Sequence, residues 1–114
     1  MKSFKIYANE QTKIENIIKE INSKINNSDT KNYLFISTGE ISIHILLDKQ
    51  DSLNLSYDCD SSDITYIDFE LKNNMVSSIS LNNLKYAYVE EDENILTSVT
   101  FFLKDNSSFE IFDI

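Results

Sequence analysis

The sequence predicts an α+β fold: one N-terminal amphipathic helix packed on a mainly antiparallel β meander that is curled into a barrel-like or strongly bent sheet. Two observations support this prediction. Isoleucines recur with helical spacing over residues 14–25, and the chain after Asn32 alternates apolar and polar residues in about eight short runs. Short Asn, Asp and Ser turns separate these runs. With 114 residues, we expect a single domain over residues 1–114.

The first two elements are a strand and a helix. Residues 3–8 alternate apolar and polar side chains and predict a short strand. Thr12 followed by Glu15 predicts a capping box at the helix start, and residues 26–28 (Asn-Asn-Ser) predict its end. The stripe at i, i+3, i+4, i+7 and i+11, which we interpret as core, consists of Ile14, Ile17, Ile18, Ile21 and Ile25.

A hairpin follows the helix. Residues 33–37 and 40–47 predict its two strands, and Gly39, the one glycine of the chain, lies where the turn needs a residue tolerant of positive φ. In the second strand His44 faces away from the three alternating isoleucines. We therefore expect His44 to be an exposed or half-exposed strand residue.

The rest of the chain predicts further strands and turns. The strands are expected at 53–57, 64–71, 76–80, 85–89, 95–103 and 109–113. The turns are expected at 58–63, 73–74, 82–83, 90–94 and 105–107.

Charge is distributed unevenly along the chain. Residues 1–50 carry seven lysines and six acids, whereas residues 51–114 carry three lysines and thirteen acids, and the chain contains no arginine. Its net charge of −9 repels nucleic acid and anionic membranes. Without arginine there is no bidentate fork for phosphate or guanine. We expect neither nucleic acid nor membrane as a partner.

The acidic residues of the second half predict a binding surface for a basic protein. Four consecutive acids at 90–93, between two apolar strands, are expected to face solvent. In the strand at 64–71, an outward face combines a tyrosine with two acids, a combination suited to a protein–protein interface. A solubilising hairpin tip is the simpler interpretation of 90–93. The predicted partner-binding residues are Glu90, Glu91, Asp92, Glu93, Asp58, Asp60, Asp63, Tyr66, Asp68 and Glu70.

The favoured hypothesis is a non-enzymatic acidic protein that inhibits or neutralises a basic partner, such as a nuclease or another nucleic-acid-binding protein. An immunity protein or a phage-encoded anti-defence inhibitor, acting in some cases as a nucleic-acid mimic, has this size and charge. This hypothesis gains support if the acids of 58–70 and 90–93 fall on one surface. Two alternatives remain: a β-barrel module that binds a small molecule or lipid in an apolar interior, and a self-assembling structural subunit that pairs through edge strands.

The sequence offers little for catalysis. His44 and Cys59 are single residues of their types, and the acids that flank Cys59 oppose the thiolate that a nucleophile requires. Counted from Asp58, the 58–63 loop lacks the glycine and glutamate that an EF-hand requires, although a looser divalent-cation site is left open. We expect no enzyme activity, no cofactor and no resident metal. A single cysteine and the absence of an apolar leader predict a cytoplasmic protein.

Overall fold

The computed structural model describes residues 1–27, 31–72 and 76–113. These residues form one α-helix, α1 (Gln11–Asn27), and a short 3-10 turn (Leu81–Asn83). The strands are β1 (Lys2–Ile6), β2 (Asn32–Thr38), β3 (Ile41–Leu46), β4 (Ser52–Tyr57), β5 (Ile64–Glu70), β6 (Val76–Ser80), β7 (Leu84–Asp92), β8 (Ile95–Leu103) and β9 (Ser108–Asp113). The helix of this part of the chain is not long and apolar enough to cross a membrane.

The strands form two antiparallel sheets. The larger has the order β1-β7-β8-β9-β2-β3, and the smaller has the order β4-β5-β6. The α+β class and the packed helix are confirmed. The barrel-like closure is not, because both sheets are open, with β1 and β3 at the edges of the larger one. After β3 the chain leaves the larger sheet and builds a second layer, which covers apolar surface without closing a barrel.

The helix and the inner faces of both sheets share one core. All five isoleucines of the helical stripe are buried, as the sequence predicts. Phe69 of β5 joins the two sheets: its ring stacks on Phe109 of β9 at 5.1 Å and meets Phe101 of β8 edge-on at 6.3 Å. The smaller sheet is therefore attached to the larger one by aromatic packing as well as by the helix.

The helix begins earlier than the predicted capping box. It starts at Gln11, and the Ile14 N–H donates to the Glu10 carbonyl oxygen at 3.1 Å. The Glu10 carboxylate accepts the Tyr7 N–H at 2.9 Å, and this hydrogen-bonded loop precedes the first helical turn. Thr12 therefore lies inside the first helical turn and not at the N-cap position. Two predicted features, Ser28 at the helix end and the turn at 73–74, lie outside the described residues.

Side-chain amides attach α1 to the smaller sheet. Asn22 donates from Nδ2 to the Leu53 carbonyl oxygen at 2.7 Å and accepts the Leu53 N–H at 2.8 Å. This pair imitates a neighbouring strand at the edge of β4. Near the helix start, Gln11 Oε1 accepts the Ile64 N–H at 2.6 Å. Both contacts satisfy backbone donors of the smaller sheet.

The predicted hairpin forms, but the apolar face of its second strand is not covered. Gly39 has φ of 72°, as the turn requires. Ile41 and Ile43 are 62% and 44% exposed, because β3 is an edge strand that extends beyond the cover of the helix and the smaller sheet.

Candidate functional site

The four consecutive acids do not form the predicted turn. β7 continues through Asp92, and Glu90 and Glu91 are half-buried strand residues opposite Ser3 and Lys2 of β1. The turn is the two-residue Glu93-Asn94 segment, whose φ angles are 52° and 65°. Positive φ at both positions is typical of a type I′ hairpin turn, and it leaves only Asp92 and Glu93 of this set exposed.

The acidic loop at 58–63 satisfies its own hydrogen bonds. The Asp58 N–H donates to the Asp63 carbonyl oxygen at 2.8 Å, and the Ser62 N–H donates to the Asp58 carbonyl oxygen at 2.9 Å. The Asp58 carboxylate accepts the Asp60 N–H at 2.8 Å. The ligand-type atoms of Asp58, Cys59 and Asp60 lie within 4.8 Å of one another, and all three residues are exposed. The loop is an acidic turn of the kind that Asp and Ser side chains stabilise.

The strand with alternating acids is placed as the sequence indicates. Tyr66, Asp68 and Glu70 share the outward face of β5, while Ile67 and Phe69 are buried on the other face. The Asp68 carboxylate is already occupied within the sheet, because it accepts hydrogen bonds from the hydroxyl groups of Ser56 at 2.5 Å and Ser78 at 2.6 Å. That carboxylate therefore connects three strands of the smaller sheet.

The two acidic sets lie at opposite ends of β7. The 58–63 loop lines a cleft of about 500 Å³ together with residues 80–82, which immediately precede β7. The acids at 90–93 lie at the other end of that strand, about 25 Å away at the usual rise per residue. The acids of the 58–63 loop therefore do not adjoin the acids at 90–93, and this part of the clustering that would favour the inhibitor hypothesis is not observed.

A different set of side chains comes together on the outer face of the larger sheet, which points away from the core. The strand register aligns a row across all six strands: Lys5, Tyr88, Thr100, Glu110, Phe35 and His44. Aromatic rings pair along this face. Tyr33 stacks on Phe112 at 5.8 Å between ring centroids, and Tyr86 lies 5.3 Å from Phe102.

His44 lies at the exposed edge of this face. Its ring centroid is 4.4 Å from that of Phe35, which is directly opposite in β2. Two residues along, the half-exposed Leu46 lies opposite Tyr33. We call these four residues, Tyr33, Phe35, His44 and Leu46, the outer shelf. The exposure predicted for His44 is confirmed.

A cleft of about 490 Å³ adjoins the outer shelf where β2 begins and β3 ends. We call it the lysine cleft. Its lining residues are Ile25, Lys31, Asn32, Leu46, Leu47, Asp48, Lys49 and Gln50. Asn32 is 4% exposed, and its Oδ1 is the buried side-chain atom without a hydrogen-bond partner among the described residues. Such an atom costs about 1–3 kcal/mol when nothing bonds to it.

Asp48, the acidic residue of the lysine cleft, already has hydrogen-bond and ion-pair partners. The Gln50 N–H and the Lys72 ammonium, 3.2 Å away, hold the pKa of the Asp48 carboxyl below its ordinary value. The Asp48 carboxylate also accepts the Gln50 N–H at 3.1 Å. Lys31 and Lys49 form no ion pair with another described residue. The cleft therefore presents two cationic groups to a ligand.

The sequence analysis did not identify the outer shelf or the lysine cleft. A signal was present, because alternation places Tyr33 and Phe35 on one face of β2, and Lys31 lies two residues before Tyr33. What alternation does not give is the neighbouring strand, so it could not bring His44 beside Phe35.

No known protein family and no curated protein matches the sequence. Solved structures share its fold. The crystal structure of ChuX matches with a TM-score of 0.60 at 14% identity, over 96% of this chain and 61% of ChuX. A protein from Erwinia carotovora matches with 0.57 at 14% identity, over 96% of this chain and 61% of that one. Another structure, described as the haem-binding protein ChuX, matches with 0.53 at 14% identity, over 96% and 62%. This chain therefore spans about three fifths of the length of these proteins.

The prediction of an inhibitor of a basic protein is wrong. A fold match, ChuX, is described as a binder of haem, which is a small molecule and not a basic protein. The separation of the 58–63 loop from the acids at 90–93 also weakens the inhibitor hypothesis. The predicted immunity, anti-defence and nucleic-acid-mimic roles are overturned with it, as is the basic protein partner. The alternative of a small-molecule-binding module is better supported, although its closed barrel is not formed.

Proposed function

We propose that this protein binds a small planar ligand of the haem class on the outer shelf, without catalysing a reaction. The observation that carries the proposal is the exposed His44 imidazole, whose ring centroid lies 4.4 Å from that of Phe35, with Tyr33 and Leu46 beside it on the same sheet face. Histidine is a common axial ligand of haem iron. The fold shared with a haem-binding protein adds support.

The residues of the outer shelf fit such a ligand. His44 forms no hydrogen bond with another described residue, so its ring nitrogens are available to a metal. Tyr33 and Leu46 present flat or aliphatic surface beside it, and Leu46 is 50% exposed. Apolar surface covered by a macrocycle stabilises the complex by about 25 cal/mol per Å². Bound haem would supply a redox-active iron, while this chain's residues hold and orient it.

Replacing His44 with alanine should weaken haemin binding at least tenfold, because the variant lacks the imidazole that would ligate the iron. Absorption titration with haemin measures this directly through the shift of the Soret band. Ser42→Ala is the matched control, since Ser42 is an exposed residue on the same face of the same strand. The control should bind haemin like the unmodified protein.

Two results would contradict the proposal. One is an unchanged haemin spectrum when the unmodified protein is added. The other is a His44→Ala protein that binds haemin with the affinity and the Soret maximum of the unmodified protein.

Self-association through β3 is a second candidate function, supported by a separate observation. β3 is an edge strand of the larger sheet, and both of its faces are exposed. Ile41 and Ile43 expose apolar surface on one face, and β3 carries no lysine or proline of the kind that protects edge strands. A second copy could pair with this edge and extend the sheet.

Under the second candidate, Ile43→Lys should abolish self-association, because a charge at the edge opposes strand pairing. Sedimentation velocity over a range of concentrations measures this. Ser3→Lys, which adds the same charge to the opposite edge strand β1, should leave association unchanged. An unmodified protein that stays monomeric at every concentration would exclude the candidate.

A further inference from the structure

We infer that the lysine cleft binds the carboxylate edge of the ligand whose flat body lies on the outer shelf. This inference rests on the proposed function. It adds that the protein recognises the carboxylates of the ligand as well as its metal and rings. The outer shelf alone offers metal-ligating and apolar groups, and it would not distinguish a tetrapyrrole acid from its ester.

The order of side chains on the outer face carries the inference. Phe35 and Tyr33 share the outer face of β2, about 7 Å apart, and Lys31 lies two residues before Tyr33, just ahead of the strand, where it lines the cleft. Along β3, His44 is followed by Leu46 in the same direction. The surface therefore runs from an imidazole over apolar groups to ammonium groups. Haem has the same order, with iron at its centre, apolar rings around it and both carboxylates on one edge.

Charge on both sides of the shelf sets one orientation. Glu110 of β9 lies directly beside Phe35 on the same face, so a carboxylate directed toward β9 would meet a like charge. At the opposite end of the shelf, Lys31 and Lys49 line the cleft, and the nearby Asp48 is paired with Lys72. The field therefore favours the ligand orientation that places both carboxylates in the cleft.

The buried amide of Asn32 is not part of the surface that an occupant of the cleft would contact. Its Oδ1 has no partner among the residues that the structure describes, and Asn32 lines the cleft. That oxygen is fully buried, and Asn32 also lines a small enclosed cavity between the helix and the larger sheet. The two ammonium groups are therefore what suits the cleft to a carboxylate. The acid-lined cleft at 58–63 offers no comparable cationic group among its lining residues.

The test compares haemin with haemin dimethyl ester, which keeps the metal and rings but lacks the negative charges. Absorption titrations in the same dilute detergent use the unmodified protein and the double variant Lys31→Ala with Lys49→Ala. We expect the double variant to bind haemin about tenfold more weakly, the loss of two exposed charge pairs. Its affinity for the ester should change less than about twofold. His44→Ala should weaken both complexes.

A second double variant controls for net charge. Lys85→Ala with Lys104→Ala removes the same two charges from exposed positions of β7 and of the β8–β9 turn, away from the cleft. It should bind haemin as the unmodified protein does. Equal effects of the cleft variant on acid and ester, or no effect on either, would overturn the inference while haemin binding through His44 still stands. Failure of the unmodified protein to bind either compound would overturn the proposed function and the inference together.

Discussion

Replacing Phe69 with alanine is expected to lower the free energy of unfolding by about 4 kcal/mol, the largest effect of any change considered for this protein. Phe69 is 1% exposed and packs against Phe101 and Phe109. Its ring is the aromatic contact between the two sheets, so the variant loses buried apolar surface and leaves a cavity where the layers meet. Chemical denaturation monitored by circular dichroism measures the change.

Tyr66→Ala is the matched control for Phe69→Ala. Tyr66 is an aromatic residue on the same strand, β5, but its side chain lies on the outward face. The control should change the free energy of unfolding by less than about 1 kcal/mol. If both variants lost the same stability, the two faces of β5 would not differ as the structure shows.

Asp51→Ala is expected to lower the free energy of unfolding by about 3 kcal/mol. Asp51 is 1% exposed, and its carboxylate accepts the Asp48 N–H and the Lys72 N–H, each at 2.7 Å. It holds the turn before β4 to the end of β5. Alanine would leave two backbone donors without their acceptor, and hydrogen bonds to a charged group are among the stronger ones in proteins.

Two further variants separate the hydrogen bonds of Asp51 from its charge. Asp51→Asn keeps one oxygen acceptor and should lose about half as much stability as Asp51→Ala. Asp60→Ala removes the same charge from an exposed position in the 58–63 loop and should be close to neutral. A neutral Asp51→Ala would contradict the structural role of this carboxylate.

The elements of the fold could be predicted because each depends on local periodicity. The isoleucine stripe indicates a helix, and β6 and β8 have the bounds that alternation indicates, Val76–Ser80 and Ile95–Leu103. The hairpin turn at Gly39 follows from the conformational freedom of glycine at φ of 72°.

The arrangement of the strands could not be predicted because alternation identifies a face and not a neighbour. β5 and β9 have the same apolar–polar pattern, yet they belong to different sheets. For the same reason, the acids at 58–63 and 90–93 could be placed on strand ends but not relative to each other. Likewise, none of the thirteen acids of the second half is distinguished in sequence, although Asp51 is buried.

The candidate site, like the fold, could be predicted from the sequence only in part. The exposure of His44 was predicted from its position opposite the isoleucines of β3, but Ile41 and Ile43 are exposed as well, because β3 is an edge strand. The aromatic neighbour of His44, Phe35, comes from the pairing of two strands, and Glu110 comes from a strand that is remote in sequence. A site assembled across a sheet therefore has few local signals in the sequence.

The position of β9 between β8 and β2 has a consequence for how the protein is made. The β2–β3 hairpin leaves the ribosome early, but the strand that joins it to the rest of the larger sheet ends only at Asp113. At about 5–20 residues per second, the ribosome needs several seconds to synthesise the residues between this hairpin and the end of β9. A two-stranded hairpin is only marginally stable alone, so its exposed isoleucines are available to chaperones during that time. The larger sheet of the nascent chain is therefore completed only when β9, a strand in its interior, pairs with β8 on one side and β2 on the other.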